Sequence, residues 1–307
     1  MKQCLVIGST VVDVLITLPH LPVRGEDINI NAPLHRIGGC AYNVYKTLDL
    51  LQCPCLLCSP VGSGIYGRMV LENLEAQGIK PFIKLEEENG CCYCLIENDG
   101  ERSFLSHHGA EYLFSRSWME NIDYSKTDSV YICGIEVEDP TGEEIIQFVY
   151  EHPELDLYFA PGPRIMHIEK DRMVRLFMRR DINGKGPFLH LNEAEACSFS
   201  RKNNIQAAAE FLAAKTDNAL VITLGEKGCY YYESVHSPLV EGTLVEGTLV
   251  PGFPAKVLDT TGAGDAHCGS IIAELKKGKP LSKACETANK IGAAVVSIHG
   301  AVLDSLN

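Results

Sequence analysis

Basic residues are in short supply: 27 Lys and Arg stand against 40 Asp and Glu, a formal net charge of −13. Nucleic acid is excluded as a partner, because its phosphates require basic patches that displace counterions. A phosphorylated small molecule is not excluded, since one local anion site can sit in an acidic chain. No apolar run approaches the roughly 20 residues of a membrane span, so no membrane partner is expected. The opening run MKQCLVIGSTVVDVLI carries Asp13 and lacks a small-residue cleavage pattern. It reads as a first buried strand and not as a signal peptide, and the expected location is cytoplasmic. No G-x-x-x-x-G-K-S/T occurs, so a P-loop is not available.

Cysteine is plentiful, but paired cysteine spacing is missing. Cys53, Cys55 and Cys58 cluster, as do Cys91, Cys92 and Cys94, yet neither group has the C-x-x-C pairs of a structural zinc site. An odd count of 13 without a secretory signal points to reduced thiols. They read as small packing residues.

What is present is an alternating rhythm. Strand-like runs fall at residues 5–8, 54–61, 129–133, 156–159, 188–191 and 219–224. Helical periodicity falls at 41–51, 66–77, 142–151, 169–179, 205–215 and 263–277. This βαβα order predicts an α/β fold with a mostly parallel sheet, helices on both faces and a site at the C-terminal strand ends. Residues 90–106 read as a hairpin around Asn98-Asp99-Gly100. With extended stretches at 14–18 and 28–30 they suggest a small sheet acting as a lid, from segments near 14–31 and 90–106. No Pro- or Ser-rich linker divides the chain, so residues 1–307 are expected to form one domain with that lid. The tandem LVEGT at 239–248 reads as a duplicated loop or strand edge, far too short for a solenoid repeat.

Two glycine-rich turns could carry chemistry. Gly62-Ser63-Gly64-Ile65-Tyr66-Gly67 has the G-x-G-x-x-G spacing of a dinucleotide turn, with Glu86–Glu88 following at about the right distance. It supports a nicotinamide-dependent oxidoreductase as a different-class reading; a tight structural turn is the bland one. In Asp259-Thr260-Thr261-Gly262-Ala263-Gly264-Asp265, small residues leave backbone N–H groups unblocked at a helix start, a place that binds anions. Asp265 is explained equally by its favourable position near a helix N-terminus and by a base poised to take a proton. On these residues alone the readings stand level.

Three further motifs supply context: Gly38-Gly39 with Asn43, Asn192 with Glu195, and Thr223 with Gly225 and Gly228. Together with DTTGAGD they occur in the order seen in ribokinase-like (PfkB) carbohydrate kinases, and the chain resembles that family from first strand to last helix. The resemblance implies a ribokinase-like fold and ATP-dependent phosphorylation of a sugar hydroxyl, with a nucleoside as the nearest alternative substrate. It implies Asp265 as general base and the amides of Gly262, Ala263 and Gly264 as anion hole. Asp13, Gly38, Gly39 and Asn43 would contact substrate. Asn192 and Glu195 would hold Mg2+ through water. Thr223, Gly225, Gly228 and Asn289 would line the nucleotide. Many relatives bind K+ near the anion hole, for which Asp259 and backbone oxygens around Thr261 and Gly300 are the local candidates. Lid pairing into a homodimer is a further implication. The chain departs from the pattern at His267 and Cys268, at Ala160, where an acid is usual, and in the doubled LVEGT. A catalytically idle binding protein is disfavoured by the retained Asp265 and glycines.

Overall fold

The computed structural model describes residues 1–98, 102–233 and 247–305. Eight strands form the main sheet: β1 (Gln3–Ile7), β4 (Cys55–Cys58), β9 (Thr127–Cys133), β10 (Asp156–Ala160), β11 (Phe188–Asn192), β12 (Leu220–Thr223), β13 (Cys229–Tyr232) and β14 (Thr248–Val250). Their spatial order is β14-β13-β12-β11-β10-β9-β1-β4. All neighbours are parallel except the β12-β13 and β13-β14 pairs.

The strands read as near-continuous apolar runs because both sheet faces are covered. Leu5 and Ile7 of β1, with Val130 and Ile132 of β9, enter one core. Cys4 and Val6, with Tyr131 and Cys133, enter the core on the opposite face. Burying each such large apolar side chain contributes about 1.5–3 kcal/mol. Helices α1 (Cys40–Leu50), α2 (Gly64–Ala76), α3 (Gly134–Glu138), α4 (Gly142–Glu151), α5 (Lys170–Met178), α6 (Glu193–Ser200), α7 (Ile205–Thr216), α8 (Ala263–Lys276) and α9 (Leu281–Val295) complete the layers. Every residue of α8 from Ala266 to Ala273 is buried. At the crossing with α1, a Cβ on Gly269 would stand 2.9 Å from Thr47 Cβ, so glycine sets how closely the two helices approach.

A second sheet of four strands projects from the first, in the order β3 (Leu34–Gly38), β2 (Val11–Thr17), β7 (Cys91–Ile96), β8 (Arg102–His107). The expected hairpin is present as antiparallel β7 and β8; residues 99–100 of its turn lie outside the described residues. Two expectations need correction. The extended segment at 28–30 is not a strand; β2 pairs instead with β3, whose register runs from Leu15 opposite Leu34 to Val11 opposite Gly38. The run 54–61 splits, because Pro60 lacks an N–H and begins a separate strand, β5 (Pro60–Ser63), paired with β6 (Ile83–Glu88). The LVEGT duplication falls almost wholly at residues outside the description. No helix among the described residues is long and apolar enough to cross a membrane.

Candidate active site

The loop 259–262 delivers the start of α8 to the C-terminal side of the parallel strands. Gly262 caps the helix with φ 73, and a Cβ there would sit 2.4 Å from Ala301 Cβ. Only glycine meets both demands. Ala263 donates its N–H to Thr260 O at 3.3 Å, and Ala266 donates to Gly262 O at 2.8 Å. Between them the N–H groups of Gly264 and Asp265 have no backbone acceptor outside the helix among the described residues, and first-turn N–H groups have none inside it. Apart from α8's own adjacent backbone, no described residue lies within 4 Å of the place where a Gly264 side chain would begin. Two donors without a backbone acceptor among the described residues and the positive end of a 14-residue helix therefore stand together where the described residues leave room beside Gly264.

Asp265 stands beside those donors. Asn43 Nδ2 donates to its Oδ2 at 2.8 Å. Desolvation pushes the Asp265 carboxyl up to about 7, against the opposing pull of the Asn43 amide and the Cys40 thiol. Asn43 is buried in the first turn of α1, and its own Oδ1 finds no partner among the described residues. The Gly38-Gly39 pair makes the approach possible. Gly39 caps α1 at φ 99, where a Cβ would meet Ser9 O at 2.6 Å. A Cβ on Gly38 would overlap the Asp13 carboxylate, at 2.1 Å from Oδ2. Asp13 is buried, and that burial, with Cys92 and Asp265 nearby, raises its carboxyl to about 7.

Farther along the sheet edge, Asn192 and Glu195 form a reciprocal cap on α6. Asn192 Oδ1 accepts from Glu195 N at 2.8 Å, while Asn192 N and Nδ2 donate to the two Glu195 oxygens at 3.0 and 2.7 Å. Burial raises the Glu195 carboxyl, against the Asn192 backbone N–H. Asn192, Thr223, Leu224 and Gly225 line one cleft of about 510 Å³. The turn beyond β12 closes through Leu224 N to Gly228 O at 2.8 Å. A larger hollow of about 630 Å³, lined by Asp156, Asp181 and Asn218 among others, lies at the opposite strand ends, away from these motifs.

Asn289 is differently employed. Its amide donates to Val250 O and Pro251 O, both at 3.0 Å, and its Oδ1 faces His267 Nε2 at 3.1 Å. His267 Nδ1 in turn meets His190 Nε2 at 2.9 Å. The departure at His267 is thus a buried polar chain linking β11, α8 and α9, and Asn289 has its hydrogen-bonding capacity committed within the protein. Cys268 packs in the core on the α1 side of the sheet.

The side chain among the potassium candidates, Asp259, is already engaged within the protein. Asp259 Oδ1 takes hydrogen bonds from Arg102 Nη1 and from Thr261 N at 2.8 Å, and Oδ2 takes one from Gly300 N at 3.1 Å. Arg102 also donates to Thr261 Oγ1. The Asp259 carboxylate thus faces a guanidinium and two N–H groups, donors that occupy oxygens a cation would need. Burial would raise the Asp259 carboxyl, but Arg102 and Thr261 hold it below the usual range. Arg102 escaped the sequence reading, since nothing local marks a partner 157 residues away. Glu136 was also missed. It is fully buried, its Oε1 accepts from Ser9 N and Oγ at 2.9 and 2.7 Å, and its Oε2 has no partner among the described residues.

The Gly62–Gly67 turn is packing. A Cβ on Gly62 would collide with Glu87 O at 2.3 Å, one on Gly67 with Gly62 O at 2.2 Å, and Gly62 N is already bound to Asn89 Oδ1 at 2.6 Å. Its strand β5 belongs to a two-stranded ribbon and not to the main sheet.

A two-faced α/β sheet with an acid beside an open helix N-terminus at its C-terminal edge defines a phosphotransferase class. The sequence pattern of the pfkB family carbohydrate kinases matches residues 1–162 and 177–306, and the chain belongs to that family. It is 29% identical over 304 residues to the uncharacterized sugar kinase YegV of Escherichia coli K12, covering 97% of this chain and 90% of that one. It is 26% identical over 306 residues to the ribokinase of Bacillus subtilis, covering 98% and 95%. A Burkholderia thailandensis nucleoside kinase solved in complex with inosine matches with a TM-score of 0.75 at 18% identity, over 97% of this chain and 92% of that one. A Cryptococcus neoformans ribokinase in complex with ADP matches at 0.71 and 23% identity, over 98% and 96%. The chain is a sugar or nucleoside kinase of the ribokinase-like fold, and the oxidoreductase reading is overturned.

Proposed function

We propose that the chain transfers the γ-phosphoryl group of ATP to a hydroxyl of a small sugar, with Asp265 as general base. The carrying observation is the Asp265 carboxylate, raised to about 7 by desolvation, beside Gly264 and Asp265 N–H groups that have no backbone acceptor among the described residues. Asn43 donates to Oδ2 and so orients the carboxylate that receives the hydroxyl proton. The deprotonated oxygen attacks phosphorus, the bond to the ADP oxygen breaks, and the proton stays on Asp265. In the first turn of α8 the Gly264 and Asp265 N–H groups supply fixed donors for charge on the moving phosphoryl oxygens, while the Ala263 N–H expected among them is spent on Thr260 O. Asp13, Gly38, Gly39 and Asn43 form the sugar wall, and the small sheet acts as the lid. The single domain with its lid spans residues 1–307.

The nucleotide occupies the cleft of Thr223 and Gly225, next to Gly228, with Asn289 bracing Val250 and Pro251 behind it. Mg2+ fits Glu195 and Asn192 through its waters, and when bound it neutralises phosphate charge. Exposed Leu34, Phe104 and Leu105 on the small sheet support pairing of two copies through the lids. The deciding experiment measures ATP consumption across a panel of sugars and nucleosides, for wild type and Asp265→Asn together. Magnesium-dependent turnover of a sugar that collapses in the variant is expected. Equal turnover in both proteins removes Asp265 as base, and turnover of nucleosides alone replaces the sugar.

A further inference from the structure

Two thiols and one carboxylate, far apart in sequence, meet on one face of the small sheet. Asp13 on β2 lies opposite Cys92 on the adjacent parallel strand β7. Cys92 and Cys94, two residues apart on that strand, point to the same side. Their sulfurs are 3.9 Å apart, and an Asp13 oxygen and both sulfurs all lie within 4.8 Å of one another. Asp13 is 8% exposed and Cys94 1%. Asp13 has no hydrogen-bond or ion-pair partner among the described residues, and a buried carboxylate left in that state is costly.

That geometry matches a soft metal. Zinc–sulfur bonds of about 2.3 Å in a tetrahedron place two sulfurs about 3.8 Å apart, and carboxylate oxygen is a normal third ligand. Thiolates select against hard cations such as Mg2+. A disulfide between the two cysteines is disfavoured, because alternate residues on a strand have Cα atoms about 6.7 Å apart, at the limit of what the bridge spans. Neither thiol is engaged in a disulfide, as all the chain's cysteines are free.

We propose that Asp13, Cys92 and Cys94 form a site for one thiophilic divalent cation such as Zn2+, with the fourth coordination position open. Binding exchanges the thiol protons for the ion, so both protons pass to solvent and affinity increases with pH. An ion held there takes Asp13 away from the sugar, so it competes with the phosphate acceptor and not with ATP. That consequence rests on the reading of Asp13 as a sugar ligand; the metal site itself does not.

The test uses the whole chain, reduced and free of chelator, titrated with Co2+. One equivalent is expected to produce a sulfur-to-cobalt charge-transfer band in the near ultraviolet, which Zn2+ then displaces. Cys92→Ser and Cys94→Ser, shown to be folded by circular dichroism, each keep at most about half the band and bind Zn2+ about 100-fold more weakly or worse, and the double variant loses the band. Asp13→Asn keeps both thiols and a similar shape; it retains a band but weakens Co2+ by about tenfold or more. No band in wild type, a band that survives in the double cysteine variant, or unchanged Co2+ affinity in Asp13→Asn overturns the site. Zn2+ inhibition relieved by raising the sugar but not ATP supports the competition. A band that stands while sugar leaves inhibition unchanged upholds the metal site and removes Asp13 from the sugar wall instead.

Discussion

Arg102 of the small sheet and Asp259 of the anion-hole loop form an ion pair whose side chains are only 13% and 3% exposed. The pair ties the proposed lid to the loop that aims α8, and its guanidinium fills the place a monovalent cation was expected to take. Turnover is therefore expected to be the same in potassium and in choline chloride. Arg102→Ala strands a buried carboxylate and should cost about 3 kcal/mol of stability. Its kcat should also drop, because the guanidinium then no longer holds Thr261 Oγ1. Potassium activation of the wild-type enzyme would contradict this arrangement.

The pH dependence follows from Asp265 and Asp13, both raised to about 7. A base must be deprotonated to act, so kcat/KM should climb with pH through a midpoint near 7. Asp265→Asn should lower kcat by about 10²–10⁴.

Stability should move the opposite way. A carboxyl with a raised folded pKa binds protons more tightly when folded, so the stability it contributes below about pH 4 is lost as pH rises through about 7. Asp265→Asn escapes that loss. Thermal melts at pH 8 should show the variant more stable than wild type by about 1–2 kcal/mol, with the gap closing at pH 4. A gap of the same size at both pH values would show that the carboxylate is not desolvated.

Two neighbouring glycines separate folding from chemistry. Gly262→Ala must hold φ 73 against Ala301 and should cost about 2–3 kcal/mol. Gly264→Ala meets open space and should gain up to about 1 kcal/mol. Its methyl group, however, enters the space before the amides, so turnover should fall while the melting temperature holds. If Gly264→Ala turns over at the wild-type rate, that space does not receive the phosphoryl group.

The buried chain from His190 through His267 to Asn289 predicts a structural phenotype. His267→Leu leaves two buried polar groups unpaired and should cost about 2–4 kcal/mol. Through Asn289 and the Val250-Pro251 backbone it should raise the KM for ATP more than it lowers kcat. A loss confined to kcat would make His267 part of the proton path.

Much of the scaffold was legible because its signals are local. Helix α4 begins and ends where periodicity places it, and α1 and α8 fall within a residue of expectation. β3 was displaced because its register comes from the glycine pair and β2, not from its own composition. The Gly62–Gly67 turn misled because spacing alone cannot show that Glu87 and Asn89 fill the room a cofactor would need.

By itself the sequence determined an acidic α/β chain, its alternating elements and the motifs that mark a phosphotransferase, all carried by short-range pattern and composition. Tertiary structure alone decided that Arg102 answers Asp259, that Asn289 serves His267, and that Asp13 faces Cys92 and Cys94. Those partners are brought together by strand order and helix crossing, and the nature of each side chain leaves its distant partner unspecified.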